Sequence, residues 1–201
     1  MMNNGPIRGA ELEIIAVDDD TAVERVSCSY DLICVVAGSC RYVDCAGEHE
    51  ALRNSIHILV PGSRMVEYRV GSSGLLEIVV LSIRRDALFG RVDCYDREEE
   101  RFEAAVLSGL ASNISVEALA TMCCHSVSTF KRRFRARYGV SPHRWFLAAR
   151  LDIAQRILRE THLPTNVIAE LCGFLNVSHF IATFRRRFGC TPSRVMYNGA
   201  L

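Results

Sequence analysis

The sequence predicts an α+β chain, with a β-rich part over residues 10–88 followed by an all-α part over 95–201. Three observations predict it. Short strand-like runs separated by turn residues fill the first half. A block of about seventeen residues in the second half recurs fifty positions later, the mark of one supersecondary unit used twice. The charge divides between the halves: from Ile114 onward there are 13 Lys+Arg and 4 Asp+Glu, a net +9, and the remainder, with 11 and 19, is −8.

Five apolar runs read as strands: Leu12–Val17, Leu32–Val36, Ile56–Val60, Met65–Val70 and Leu75–Ile83. Turns at Ala37-Gly38, Ala46-Gly47, Pro61-Gly62 and Gly71–Gly74 punctuate them. Short strands at this spacing predict a small antiparallel barrel or sandwich. Met1 to Gly9 is expected to be a loose end.

The acidic run Asp96–Glu100 opens a helix, where negative charge complements the helix dipole. Phe102, Val106 and Leu110 then line one face of it.

The repeat follows. Ser128, Phe130, Phe134, Gly139 and Pro142 fall on Ser178, Phe180, Phe184, Gly189 and Pro192. Each copy reads as a short helix with both ends encoded. Ser126 or Ser128 can cap the first and Asn176 or Ser178 the second. Two phenylalanines four apart share the buried face. Gly139 and Gly189 end the helices, and Ser141-Pro142 and Thr191-Pro192 restart the chain with a hydroxyl cap and proline at the first position. A short apolar helix precedes each copy, at Val116–Ala120 and Val167–Leu171. Helix, tight turn, basic helix is the helix-turn-helix pattern, present twice. A helix from Pro142 to about Glu160, with Leu147, Leu151, Ala154 and Leu158 on one side, spaces the units.

With the phenylalanines inside, Ser128, Lys131, Arg132 and Arg135 form one outward stripe at i, i+3, i+4 and i+7. Arg and Lys donate to guanine O6 and N7, and serine pairs with several bases. The second helix offers Ser178, His179, Ala182 and Thr183 for base readout, with Ala182 suited to a thymine methyl. Arg133, Arg137, Arg185, Arg186 and Arg187 are expected to hold phosphates, which positions the protein without specifying sequence. The plainer reading of each residue is a solvated helix face; the duplication favours the functional one.

The sequence resembles the AraC/XylS family of bacterial transcription regulators. The resemblance rests on Ile114–Ala120, Phe130–Phe134, Gly139–Pro142, Arg150-Leu151 with Ala154, Ile168-Ala169, Gly173-Phe174, Ser178–Phe180 and Gly189–Pro192. Thr129–Lys131 and Arg185–Pro192 look most like the branch that controls type III secretion genes. The family commonly has an arginine where Ala182 stands, so the second helix departs from the pattern there. The resemblance implies a small cupin-like barrel at the N-terminus and paired dimerisation helices between the halves, for which Arg84–Tyr95 leaves almost no room. It further implies an activator that binds double-stranded promoter DNA and engages RNA polymerase, with a small-molecule or protein effector at the N-terminal part. The alternative is a truncated regulator that acts mainly as a protein-interaction module and binds DNA weakly.

Other classes are set aside on composition. A metal-dependent cupin enzyme needs clustered His and Glu ligands, and His49 and His57 are the only histidines of the first half. No enzyme and no cofactor are expected. Nine cysteines at irregular spacing, with no Cys-x2-Cys pair, point to small buried hydrophobes rather than zinc ligands. No apolar run is long enough to span a bilayer and no cleavable leader is evident, so a cytoplasmic chain is expected.

Overall fold

A computed structural model of the chain describes residues 10–89 and 96–198. The expected loose end at Met1–Gly9 and the expected start of the second part near Tyr95 lie outside those residues.

Among the described residues eight strands come first: β1 (Glu11–Val17), β2 (Thr21–Val26), β3 (Tyr30–Ala37), β4 (Ser39–Asp44), β5 (Gly47–Leu52), β6 (Ile56–Leu59), β7 (Arg64–Arg69) and β8 (Leu76–Ile83). They build two four-stranded sheets, in the orders β1-β8-β3-β6 and β2-β7-β4-β5. All the pairings are antiparallel. This alternation of strands between two sheets is the jelly-roll order of cupin-like domains. The barrel does not close: it is a sandwich with β1, β6, β2 and β5 at its edges.

β2, β4 and β5 were not among the expected runs. Their sequences, TAVERV, SCRYVD and GEHEAL, bury at most alternate residues and carry charge on the open face. Glutamate and aspartate are poor strand formers, so what holds these segments is pairing and one buried face. The β4–β5 hairpin turns at Cys45-Ala46, where Asp44 Oδ1 accepts the Ala46 N–H at 2.7 Å.

Between the sheets, Ile33, Val35, Ile78 and Val80 meet Tyr42, Met65 and Tyr68. The other face of the same sheet is also covered. Leu32, Cys34, Val79, Leu81 and Ile83 join the core of the helical half. Consecutive residues of β3 and β8 therefore serve two different cores, which is why Leu32–Val36 and Ile78–Leu81 read as continuous apolar runs. Burial pushes the thiols of Cys34 and Cys40 up to about 12, so both stay protonated fillers of these two cores.

Among the described residues eight helices follow: α1 (Arg85–Phe89), α2 (Arg97–Ala111), α3 (Val116–Met122), α4 (Val127–Tyr138), α5 (Pro142–Glu160), α6 (Thr165–Leu171), α7 (Val177–Phe188) and α8 (Pro192–Asn198). Asp96 caps α2 by accepting from the N–H groups of Glu98 and Glu99, as its acidic start suggests. α2 lies against β6 and α5 against β1. Tyr30 of β3 meets Phe89 edge-on at 5.5 Å, and its hydroxyl donates to Glu103 at 3.5 Å. No described helix is long and apolar enough to cross a membrane.

Candidate nucleic-acid interface

The two helix-turn-helix units are α3–α4 and α6–α7. Local chemistry sets the second helix of each unit. Ser126 Oγ accepts the Thr129 N–H at 3.2 Å and caps α4; Asn176 Oδ1 accepts the His179 N–H at 3.0 Å and caps α7. Each ends on a left-handed glycine, Gly139 at φ 74° and Gly189 at φ 75°. Pro142 starts α5 as expected, but the Ser141 hydroxyl makes no capping bond. Phe130, Phe134, Phe180 and Phe184 are fully buried, and the rings of each pair lie 5.7 and 5.6 Å apart.

Burying these rings turns the opposite face outward. Ser128, Lys131, Arg132 and Arg135 are exposed on α4. Ser178, His179, Ala182, Arg185 and Arg186 are exposed on α7.

Four expected contacts lie elsewhere. Thr183 is buried, at 3% exposure, and presents nothing to a groove. Arg133 pairs with Glu98 and, at 2.9 Å, with Glu99, and its guanidinium lies over the Phe102 ring at 4.9 Å. Arg137 pairs with Glu99 and donates to the Phe89 carbonyl at 3.0 Å. Arg187 donates to Asp152 Oδ1 at 2.6 Å. Helical periodicity is the reason. Counting from Phe130, positions 133, 134 and 137 follow at i+3, i+4 and i+7; counting from Phe180, so do 183, 184 and 187. All four residues share the phenylalanine side of their helix. Asp152 is held above the ordinary aspartate value by burial, with Arg187 opposing. Its Oδ2 is buried with no partner among the described residues.

Sequence reasoning missed a second feature, the polar tie between the units. Arg150 of α5 donates to Asn113 Oδ1 and, at 2.9 Å each, to the carbonyls of Gly109 and Ser112. Asn113 Nδ2 donates to the Gly173 carbonyl at 2.7 Å. One cluster thus joins the end of α2, the loop entering α3, the middle of α5 and the turn before α7. Gly173 sits at φ 75°, and a Cβ there would come within 3.3 Å of Asn113 Nδ2. Burial holds the Arg150 guanidinium below its ordinary value. The Arg150 and Gly173 positions were visible as motif residues; Asn113, sixty positions from its partner, carried no signal. Next to the tie runs a groove of about 630 Å³, with His143 and Leu147 on one wall and Leu175 and His179 on the other.

In the sandwich, His49 Nε2 lies 2.9 Å from Asp44 Oδ1, and His57 lies 3.0 Å from the Tyr42 hydroxyl and 3.1 Å from Ser55 Oγ. Among the described residues no group of three or more His, Cys, Asp or Glu is placed to hold a metal.

A family model described as a helix-turn-helix domain matches residues 119–197. The probable transcriptional regulator LumQ of Photobacterium leiognathi is 35% identical over 88 residues, 44% of this chain and 36% of LumQ. The virulence regulon transcriptional activator VirF of Yersinia enterocolitica is 32% identical over 99 residues, 49% of this chain and 36% of VirF. The chain thus spans about a third of the length of these two relatives. Among solved structures, the DNA-binding domain of the global transcriptional factor AdpA in complex with a target DNA is 31% identical, with 52% of this chain and 93% of that one covered and a TM-score of 0.47. Over residues 119–197 the chain thus carries a helix-turn-helix domain, duplicated and capped, that is similar to the matching part of these transcriptional regulators.

Proposed function

We propose that this protein is a sequence-specific DNA-binding regulator whose helices α4 and α7 enter two successive major grooves of promoter DNA. The observation that supports this most is the pair of capped helices, each with its phenylalanines buried and a stripe of short polar and basic side chains left open. In α4, Lys131, Arg132 and Arg135 donate to guanine and Ser128 adds a polar contact. In α7, Ser178 and His179 supply the polar contacts and Ala182 meets a thymine methyl. Arg185 and Arg186, both exposed on the same helix, bind phosphates.

The role is activation, the role that the name of one relative carries, and RNA polymerase is the partner in it. The sandwich, residues 10–88 in this reading, receives the effector or protein partner, and residues from about 95 onward hold the DNA. The protein acts in the cytoplasm, without cofactor or catalysis.

Footprinting of the full chain on its own promoter region tests the reading. Two protected stretches should appear on one face of the duplex, about 34 Å apart. Absence of protection at low salt would instead favour an interaction module.

A further inference from the structure

Leu175 is completely exposed, at 100%. A single exposed leucine on a surface loop is ordinary. This one stands on a turn fixed from both sides. On its N-terminal side the Gly173 carbonyl is held by Asn113, and the Phe174 N–H donates to the Ala169 carbonyl at 2.9 Å. The Phe174 ring is buried edge-on against Phe180, with centroids 5.1 Å apart. On its C-terminal side Asn176 caps α7. Leu175 is therefore an apolar side chain on a rigid mount, and a partner that covers it need order little backbone.

Its surroundings say what kind of partner fits. Leu175 immediately precedes the α7 cap, at the end of the helix that leads into the groove. Val177, 37% exposed, adds hydrocarbon two residues further on, and Ala182 is exposed on the same helix. The α4 positions equivalent to Ile181 and Ala182 are Lys131 and Arg132. The second unit has thus exchanged strong hydrogen-bond donors for hydrocarbon, while Arg185 and Arg186 on the same helix retain the charge that draws it to phosphate. The apolar feature that a major groove offers is the 5-methyl group of thymine.

We propose that Leu175 is a specificity-determining residue, seated against the 5-methyl group of a thymine in the second major groove, with Val177 widening the contact. This rests on the groove-reading function proposed above. The second half-site is then read by shape and methyl positions, the first by guanine-directed donors.

The experiment uses the full chain. A binding motif is selected from randomised duplexes. Each thymine of the motif is then replaced in turn by deoxyuridine, which removes only the methyl group. At one position the wild type should lose about fourfold in affinity, the value of one buried methyl-sized group. Leu175→Ala should bind the thymine and uracil duplexes equally, at that reduced level, and Leu175→Met should keep most of the discrimination. Because Leu175 packs against nothing, thermal melting of the variants should match wild type. Wild type indifferent to every replacement, or Leu175→Ala as sensitive as wild type, overturns the proposal and leaves groove reading intact. So does Leu175→Ala that keeps its DNA affinity but loses activation, which assigns the residue to a protein contact. Failure of the wild type to select any motif overturns groove reading itself, and this contact with it.

Discussion

Arg187 donates to a single oxygen of Asp152 from two nitrogens, Nε at 3.0 Å and Nη2 at 2.6 Å. Fifty positions earlier Arg137 does the same work against Glu99 and the Phe89 carbonyl. In each unit the last-turn arginine of the reading helix folds back onto the helix beneath it, α2 in the first and α5 in the second. The repeat is therefore three helices long, α2–α3–α4 and α5–α6–α7. Its basic residues divide into those that fasten the unit and those left for a partner.

That division predicts opposite behaviour from adjacent arginines. Arg186→Ala should weaken all DNA sequences about equally and lower the salt slope of log affinity by roughly one. Arg187→Ala should leave the slope unchanged and destabilise the fold by about 3–5 kcal/mol, because it strands the buried Asp152 carboxylate. Binding titrations at several salt concentrations, with thermal melts of the same proteins, check both. Equal slopes for the two variants would remove the distinction.

The reading stripes predict where specificity resides. Arg132→Ala should relax base preference in one half of the selected motif, at a cost of about 1–3 kcal/mol for the preferred base. Ala182→Arg should add a guanine preference in the other half. Selection from randomised DNA with each variant decides it. Unchanged motifs in both would mean that the helices dock by another surface.

The tie through Asn113 predicts that the two units are held at one spacing. Asn113→Ala removes the donor to Gly173 and one acceptor of Arg150, for a loss of about 1–3 kcal/mol in stability. Operators with one base pair added or deleted between the half-sites should be rejected by wild type and accepted better by the variant. Should both proteins discriminate spacing equally, the rigid spacing comes from the packing of α5 alone.

His57 predicts a pH effect in the sandwich. Burial first, and then the nearby His49, hold it below its ordinary value. The unfolded chain takes up this proton at about 6.5, and the folded chain resists it until lower pH. Its contribution is thus intact above about 6.5 and is lost as pH falls through that value toward the folded pKa. Melting temperatures of wild type and His57→Gln, measured from pH about 8 to about 5, should converge toward the acid end, with wild type falling faster. Parallel curves would show that other groups govern acid stability.

Much of the helical half was legible because its signals are local. Ser126, Asn176, Gly139 and Gly189 announce their roles within a few residues of the helices they bound. The phenylalanine spacing also contained the correction for Arg133, Arg137, Thr183 and Arg187, since i+3 and i+7 from a buried ring face inward too. What stayed hidden depends on contacts between distant segments. Glu99 and Asp152 read as ordinary helix carboxylates until α4 and α7 are laid against them. Strands β2, β4 and β5 could not be seen because residues such as Glu24, Asp44, Glu48 and Glu50 oppose strand formation by themselves. Their pairing, and ion pairs such as Arg41 with Glu48 and Glu67, exist only once the sheet is assembled.

Leu32 and Ile33 are neighbours in the chain but belong to different interiors, one shared with α2 and the reading helices, the other enclosed by the sandwich. Close-packed interiors pass displacement on rather than absorb it. A molecule that wedged the two sheets apart at Ile33 would move the same backbone that supports Leu32. The message would reach the DNA-reading half as a mechanical shift of its floor, with β3 acting as the lever.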